Sequence, residues 1–155
     1  SSPPMIMFAN NGSLPSGNGP KDTFSNIKDN KEFVINISTY SNKDKMNETC
    51  FPLEPEKSEL DLAKLETRSS KIVKPKSLKI SPINMECMLY KIIDLPSKEK
   101  GEYNGIIIGE VLGINIDDNF IKDGMVDVKK IKPLARLGYM DYCYVDNIFK
   151  MNRPK

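Results

Sequence analysis

Histidine is absent from all 155 residues. That excludes Ser-His-Asp and Cys-His catalysis, the usual zinc sites and the commonest general base near neutral pH. Cysteine is scarce: Cys50, Cys87 and Cys143 are odd in number and widely spaced. They form neither a CxxC pair nor a disulfide scaffold, which points to a reducing, cytoplasmic compartment. Long apolar runs are lacking too, since stretches such as "GIIIG" are far too short to cross a bilayer, and no basic-then-apolar leader opens the chain. No sign of charge prevails: 23 basic and 21 acidic residues leave a net charge of +2. Such a balance provides no strong field for nucleic acid or an anionic membrane. Carboxylates and cysteines nowhere adopt metal-ligand spacing, so no metal is expected. Any chemistry is then expected to come from a bound cofactor, with no catalytic side chain of its own.

What is present suits one domain over residues 1–155, with 39% hydrophobic residues to fill a single core. The chain opens "SSPP" without an initiator methionine, in the approach to a strand, and an N-terminal part of the domain is expected upstream. Residues 4–9, "PMIMFA", read as a short buried strand. A Gly-rich polar loop follows, and then a helix over about Asp22 to Lys28, with Pro20 in its approach, Asp22 and Thr23 as side-chain acceptors at its start, and Phe24 and Ile27 on one face. "KEFVINIST" alternates as a half-buried strand. "SNKDKMNETC" and "EKSELDLAKLE" predict two short surface helices around a turn at Pro52 to Pro55. "SLKIS" reads as strand-like. "INMECMLYKIIDL" and "IIIGEVLGINID" read as a long hairpin across a charged turn, with Ile83, Met85, Cys87 and Leu89 on the apolar face of the first strand. Gly109 and Gly113 suggest bulges or close backbone approach in the second. The last third is read as a turn, a short helical or irregular stretch and a Gly-containing segment.

The loop at residues 10–27, "NNGSLPSGNGPKDTFSNI", invites a phosphate. Gly12 and Gly17 have P-loop separation, but Asn18 stands where the lysine belongs and Pro20 removes an amide, so a nucleotide-triphosphatase loop fails. No GxGxxG supports a Rossmann site. A looser site remains, with helix-start amides, Lys21 and the Thr23 hydroxyl suited to one phosphate monoester. On these residues alone, a plain helix cap beside a solvated lysine is the simpler account.

The order of several segments adds to this. "SSPPMIMFA", "KDTFSNIKDNKEFVINI", "KMNET", "KIVKPKSLKISPINMECML", "IIIGEVLGINIDD", "DGMVDVKKIKPLARLG" and "MDY" together resemble the flavin reductase-like, FMN-binding split-barrel family, which includes flavoredoxins and NAD(P)H:flavin oxidoreductases. The resemblance covers nearly the whole chain. It implies a mainly β fold, an antiparallel six-stranded split barrel with short inserted helices, and a homodimer holding FMN at its interface. Carried over residue by residue, it implies that Lys21, Asp22, Thr23 and Asn26 hold the FMN phosphate, together with Asn10 at the end of the preceding strand. Asn10 stands in a stretch where relatives often have Ser and Arg, which shifts weight onto Lys21. The resemblance also places Arg136 and Gly138 near the cofactor cleft, Arg136 as a donor to the flavin edge or to a nicotinamide nucleotide, with a structural ion pair as the alternative. Relatives commonly have Gly-Gly where this chain has Gly138-Tyr139, so a narrower cleft is expected there. Packing is expected of Tyr142 and Tyr144.

The function implied is hydride transfer from NAD(P)H to flavin, with electrons passed to free flavin, a monooxygenase partner or another acceptor. Two alternatives stand beside it: an FMN-binding electron carrier without its own nicotinamide site, and an interaction protein that kept the barrel and lost the flavin.

Overall fold

The structure is a computed structural model that describes residues 2–13, 19–53, 57–98 and 102–154. In chain order the elements are β1 (Met5–Asn11), α1 (Asp22–Asn30), β2 (Glu32–Asn36), α2 (Lys43–Glu48), α3 (Glu59–Leu62), β3 (Thr67–Arg68) and β4 (Ser77–Leu78). They continue with β5 (Ile83–Asp94), β6 (Asn104–Ile116), β7 (Ile121–Lys122), β8 (Met125–Val126), α4 (Val128–Ile131), β9 (Leu134–Gly138) and β10 (Asp141–Tyr144). The main sheet has the order β1-β6-β5-β2, every pair antiparallel. β3-β4, β7-β8 and β9-β10 form two-stranded ribbons. The architecture is therefore mainly β with short helices, as expected, and six is only an approximate strand count.

The expected long hairpin is the spine of the sheet. β5 and β6 pair from Ile83↔Ile116 to Asp94↔Gly105, with register shifts at Glu86/Cys87 and Leu89/Lys91. Those shifts fall opposite Gly113 and Gly109, the two glycines whose placement in an apolar run suggests them. A Cβ on Gly109 would lie 2.8 Å from Phe33 Cε1, nearer still to Cζ, and 3.1 Å from the Met88 carbonyl. Only a residue without a side chain lets the Phe33 ring reach the strand there.

The core joins Phe24 and Ile27 of α1, Phe33 of β2, Cys87 of β5 and Ile107 of β6. Each large apolar side chain buried here contributes about 1.5–3 kcal/mol. The spacing of Phe24 and Ile27 turns α1 onto the sheet. The helix runs past Lys28 to Asn30 and stops at Lys31, whose φ of +62° is left-handed and whose N–H donates to the Ile27 carbonyl.

Several expectations need correction. β1 is an edge strand, not a buried one: its alternate residues face outward, and Met7 is 70% exposed. "SLKIS" contributes only the two residues of β4. The last third folds into two hairpins around α4, the first turning at Asp123-Gly124, both with positive φ. On β5 the polar residues between the apolar ones are not solvent-facing: Asn84 is 0% and Glu86 4% exposed. The pleat sends Glu86 and Cys87 to opposite faces, and both faces are covered, one by the core and the other by the segment from β3 to β4. Two readings lie partly outside the described residues, the turn at Pro52 to Pro55 and the charged turn before β6.

Candidate functional site

The sequence-predicted residues separate into a cluster around α1 and a cleft at the β9-β10 hairpin. At the first, the end of β1 pairs with the start of β6, Asn10 opposite Gly105 and Asn11 opposite Asn104. Beyond it the Gly12 N–H donates to the Tyr103 carbonyl at 2.9 Å. Ser13 and Pro20 form an isolated bridge that closes the neck of the loop. Residues 14–18, including Gly17 and Asn18, lie outside the described residues.

The start of α1 differs from expectation. Lys21 is the N-cap residue and makes no side-chain cap, and among the described residues neither Asp22 nor Thr23 supplies one. Among the described residues nothing caps the Asp22 and Thr23 amides that begin this nine-residue helix, the arrangement that favours an anion. Lys21 folds back over the loop: a Cβ on Gly12 would lie 3.4 Å from Lys21 Cε and 3.8 Å from Nζ. Gly12 takes a φ of +88°, which brings bare backbone beneath the ammonium. Asn10 is only 7% exposed, and its Oδ1 is buried without a hydrogen-bond partner. An orphaned buried acceptor at the end of β1 is what an incoming donor would satisfy.

Tyr103, which sequence reasoning missed, ties these parts together. Its ring packs on Phe24 of α1 with centroids 3.9 Å apart. Its hydroxyl occupies the space that a side chain on Gly105 would need, in the row that joins Asn10, Gly105 and Asp94 across three strands. Burial and the nearby Asp94 charge raise its phenol above the ordinary tyrosine value. Its one signal in sequence is a lone aromatic just before a glycine-interrupted strand.

Thr23 and Asn26 project from the flank of α1 into a groove of about 580 Å³, which Lys21 does not line. Lys74 and Lys76 stand in the same groove, and its floor includes Ile27 and Phe33.

Arg136 lies elsewhere, in a cleft of about 1010 Å³ between α2 and the β9-β10 hairpin. The two cavities share no lining residue. Its guanidinium donates to the Tyr139 carbonyl at 3.0 Å and so fastens its own turn, and among the described residues it forms no ion pair. Gly138 has a φ of +120° with open space around it, and Tyr139 takes the left-handed φ of +47° that a second glycine would adopt without strain. Tyr139 is 93% exposed and lies along the cleft instead of filling it. Tyr144 packs against Tyr40 at 4.6 Å, whereas Tyr142 remains exposed.

The third cluster, also missed, is polar and buried. Glu86 accepts from three successive backbone N–H groups, Lys71 at 3.0 Å, Ile72 at 2.6 Å and Val73 at 3.1 Å. Burial alone would raise its carboxyl, yet those three donors and the Lys71 charge hold it below the usual carboxylate range. Asn84 donates to Asn36 Oδ1 and to the Leu78 carbonyl and accepts from Arg68. Burial pushes the Cys87 thiol up to about 11. No group of three potential metal ligands occurs among the described residues, and none of their helices is long and apolar enough to cross a membrane.

Comparison with known proteins bears on the family and the fold. Residues 1–138 match the family model for the flavin reductase like domain. An uncharacterized protein of Halalkalibacterium halodurans is 32% identical over 152 residues, which is 98% of this chain and 72% of the relative. Against the curated relatives it matches, the chain spans from 63% to 72% of their length. Among solved structures, nitrilotriacetate monooxygenase component B from Bacillus cereus superposes with a TM-score of 0.86 at 30% identity, over 96% of this chain and 72% of that one. The 2-nitrobenzoate 2-nitroreductase NbaA of Pseudomonas fluorescens superposes with a TM-score of 0.80 at 25% identity, over 98% and 70%.

Proposed function

The chain belongs to the flavin reductase-like family, and from that premise we propose that it binds FMN and serves as an NAD(P)H:flavin-type oxidoreductase. The observation that carries this reading is the head of α1, where among the described residues nothing caps the first amides and Lys21 folds over Gly12, together with the unpartnered Oδ1 of Asn10 at the end of β1. The donor set suits a phosphate monoester on a polyol chain. Lys21 neutralises the dianion, while the amides of Asp22 and Thr23 and the Thr23 hydroxyl donate to its oxygens. Asn10 accepts from a ribityl hydroxyl, and Asn26 hydrogen-bonds farther along the same ligand. Asp22 fixes the turn that enters the helix.

Bound flavin would supply the hydride-accepting and electron-passing chemistry that a chain without histidine lacks. The protein's own part is to bind, orient and screen that group from water. In this reading Gly138 leaves room for a planar ring to approach the β9-β10 hairpin. A homodimer brings the α1 cluster of one copy toward the Arg136 cleft of the other, which share no lining residue within one chain. The likeness to a monooxygenase component supports a partner oxygenase as the electron acceptor.

One observation favours a second reading, in which the chain carries flavin electrons with no nicotinamide site of its own: Arg136 is already engaged by the Tyr139 carbonyl. An anaerobic visible spectrum of the FMN-loaded protein before and after NADH or NADPH separates the two. Prompt bleaching of the flavin band supports the reductase. A bound-flavin band that neither nucleotide bleaches selects the carrier, and failure to bind FMN at all refutes both.

A further inference from the structure

Tyr139 stands where the backbone would prefer a glycine. It takes the first position of the two-residue turn between Gly138 and its partner Asp141, with a φ of +47° that a bulky side chain rarely adopts. The ring does nothing within the chain to offset that strain: it is 93% exposed and, among the described residues, stacks on no other aromatic. The backbone holds the conformation instead, since the Arg136 guanidinium donates to the Tyr139 carbonyl. A strained, clamped turn that displays an unpacked ring along a cavity is the kind of outlier from which function is inferred. With only two side-chain torsions to fix, a tyrosine also loses little freedom when a ligand lies against it.

The cleft beside this ring defines the ligand's chemistry. Tyr139, Tyr142 and the packed pair of Tyr40 and Tyr144 all line it. Phenol rings are electron-rich on their faces, and two of these already attract cations: Lys43 Nζ lies 4.9 Å from the Tyr40 centroid and Lys132 Nζ 5.3 Å from that of Tyr144. Such faces favour a flat ring that is short of electrons. Charge narrows the choice further. Lys43 is paired with Asp44 at 2.9 Å and Arg136 is engaged by its own turn, whereas Asp141 and Asp146, also in the cleft, form no ion pair among the described residues. Two open carboxylates repel an anionic ligand.

We propose that this cleft binds a neutral, electron-poor planar arene, with Tyr139 as the residue that stacks on it and with Asp141 and Asp146 turning away its carboxylated analogues. The site shares no residue with the head of α1, and it goes beyond the flavin reading without needing it.

The test uses 4-nitrobenzyl alcohol and 4-nitrobenzoate, which match in ring and nitro group and differ in charge. Each is titrated by proton NMR with the chain and with its Tyr139→Phe, Tyr139→Leu and Tyr139→Gly variants, first without flavin and then with saturating FMN. We expect the alcohol's ring protons to move upfield with the unaltered chain and with Tyr139→Phe, and the alcohol to bind the leucine and glycine variants about fivefold more weakly. 4-Nitrobenzoate should bind the unaltered chain more weakly than the alcohol does. Tyr139→Gly should melt no lower than the parent, because glycine adopts this turn without strain. An alcohol that does not shift with the unaltered chain, or that binds the leucine and glycine variants as well as it binds the parent, overturns the proposal. So does 4-nitrobenzoate bound as tightly as the alcohol, or a Tyr139→Gly midpoint several degrees lower, which would show that the ring holds the hairpin. Displacement of the alcohol by FMN overturns it too, while supporting flavin binding. Tyr139-dependent binding of the alcohol that is the same with and without FMN upholds the site, whether or not the chain takes up flavin.

Discussion

Replacing Glu86 with glutamine should destabilise the protein strongly at neutral pH and much less in acid. One carboxylate oxygen accepts from Lys71, and the other from both Ile72 and Val73. Glutamine keeps one acceptor, which serves Ile72 and Val73 best, and its amide nitrogen then confronts the Lys71 N–H as donor against donor. A hydrogen bond to a charged group is worth about 1.5–3 kcal/mol and a neutral one about 0.5–1.5 kcal/mol. Losing one bond and weakening two therefore gives about 3–5 kcal/mol. Lys71 and Ile72 are exposed, so water recovers part of this, and a net loss of about 2–3 kcal/mol remains. For a domain of this length that lowers the melting midpoint by about 5–10 °C. The pH dependence has a definite sign. The folded carboxyl is held below its ordinary value, so its contribution is complete above the unfolded value of about 4.3 and disappears as pH falls through the lower folded value. The gap between the two proteins should be full at pH 7 and close progressively below about pH 4. Glu66, lowered by its exposed bridge to Lys79, is present in both proteins and cancels. Urea midpoints at pH 7, 5, 4 and 3 read the effect. A variant as stable as the parent at pH 7, or a gap that stays constant into acid, would refute the reasoning.

Further expectations concern the core and the site. Gly109→Ala sets a methyl against the buried Phe33 ring and should cost about 1–2 kcal/mol, after the strand preference for alanine offsets some of the overpacking. The cost should shrink in a Phe33→Leu background, and additive urea-melt losses would show that the ring is not the obstacle. Iodoacetamide at pH 8 should label the exposed Cys50 and Cys143 and spare Cys87, whose thiol is pushed up to about 11; mass spectrometry showing Cys87 alkylated in the native protein would contradict its burial. Lys21→Gln should weaken FMN binding about tenfold and leave riboflavin binding unchanged, as read by flavin fluorescence, because the ammonium has no part in holding the ring.

Much of the fold was legible because it obeys period. Phe24 and Ile27 at helical spacing, the alternation of Phe33 and Ile35, and the paired apolar runs of β5 and β6 each favour one structure locally and agree with one another. Gly109 and Gly113 announced close approaches because nothing else explains glycine inside an apolar strand. What could not be read was anything that depends on a distant partner. Glu86 and Asn84 have the pattern of a solvent face, and only the return of the segment from β3 to β4, held by their own hydrogen bonds, buries them. Met5 and Met7 have the pattern of a buried strand, yet among the described residues β1 pairs with β6 alone and leaves them outside. The site shows the same division. "KDT" at the head of a helix marked Lys21 and Thr23, but that Thr23 also lines a groove with Lys74 and Lys76 is decided by the folding of residues some fifty positions downstream. Tyr103 was missed because a single aromatic has no periodicity to betray it.

The central claim is that this chain holds a flavin by its phosphate at the head of α1. The phosphorus-31 spectrum of FMN, recorded with and without a stoichiometric amount of the protein, tests it most directly. The account predicts that the phosphate resonance shifts and broadens on addition of the chain and returns toward its free position with Lys21→Gln. A resonance that stays at its free position while the isoalloxazine band reports binding would place the phosphate in solvent and contradict the site; no change in either signal would contradict flavin binding itself.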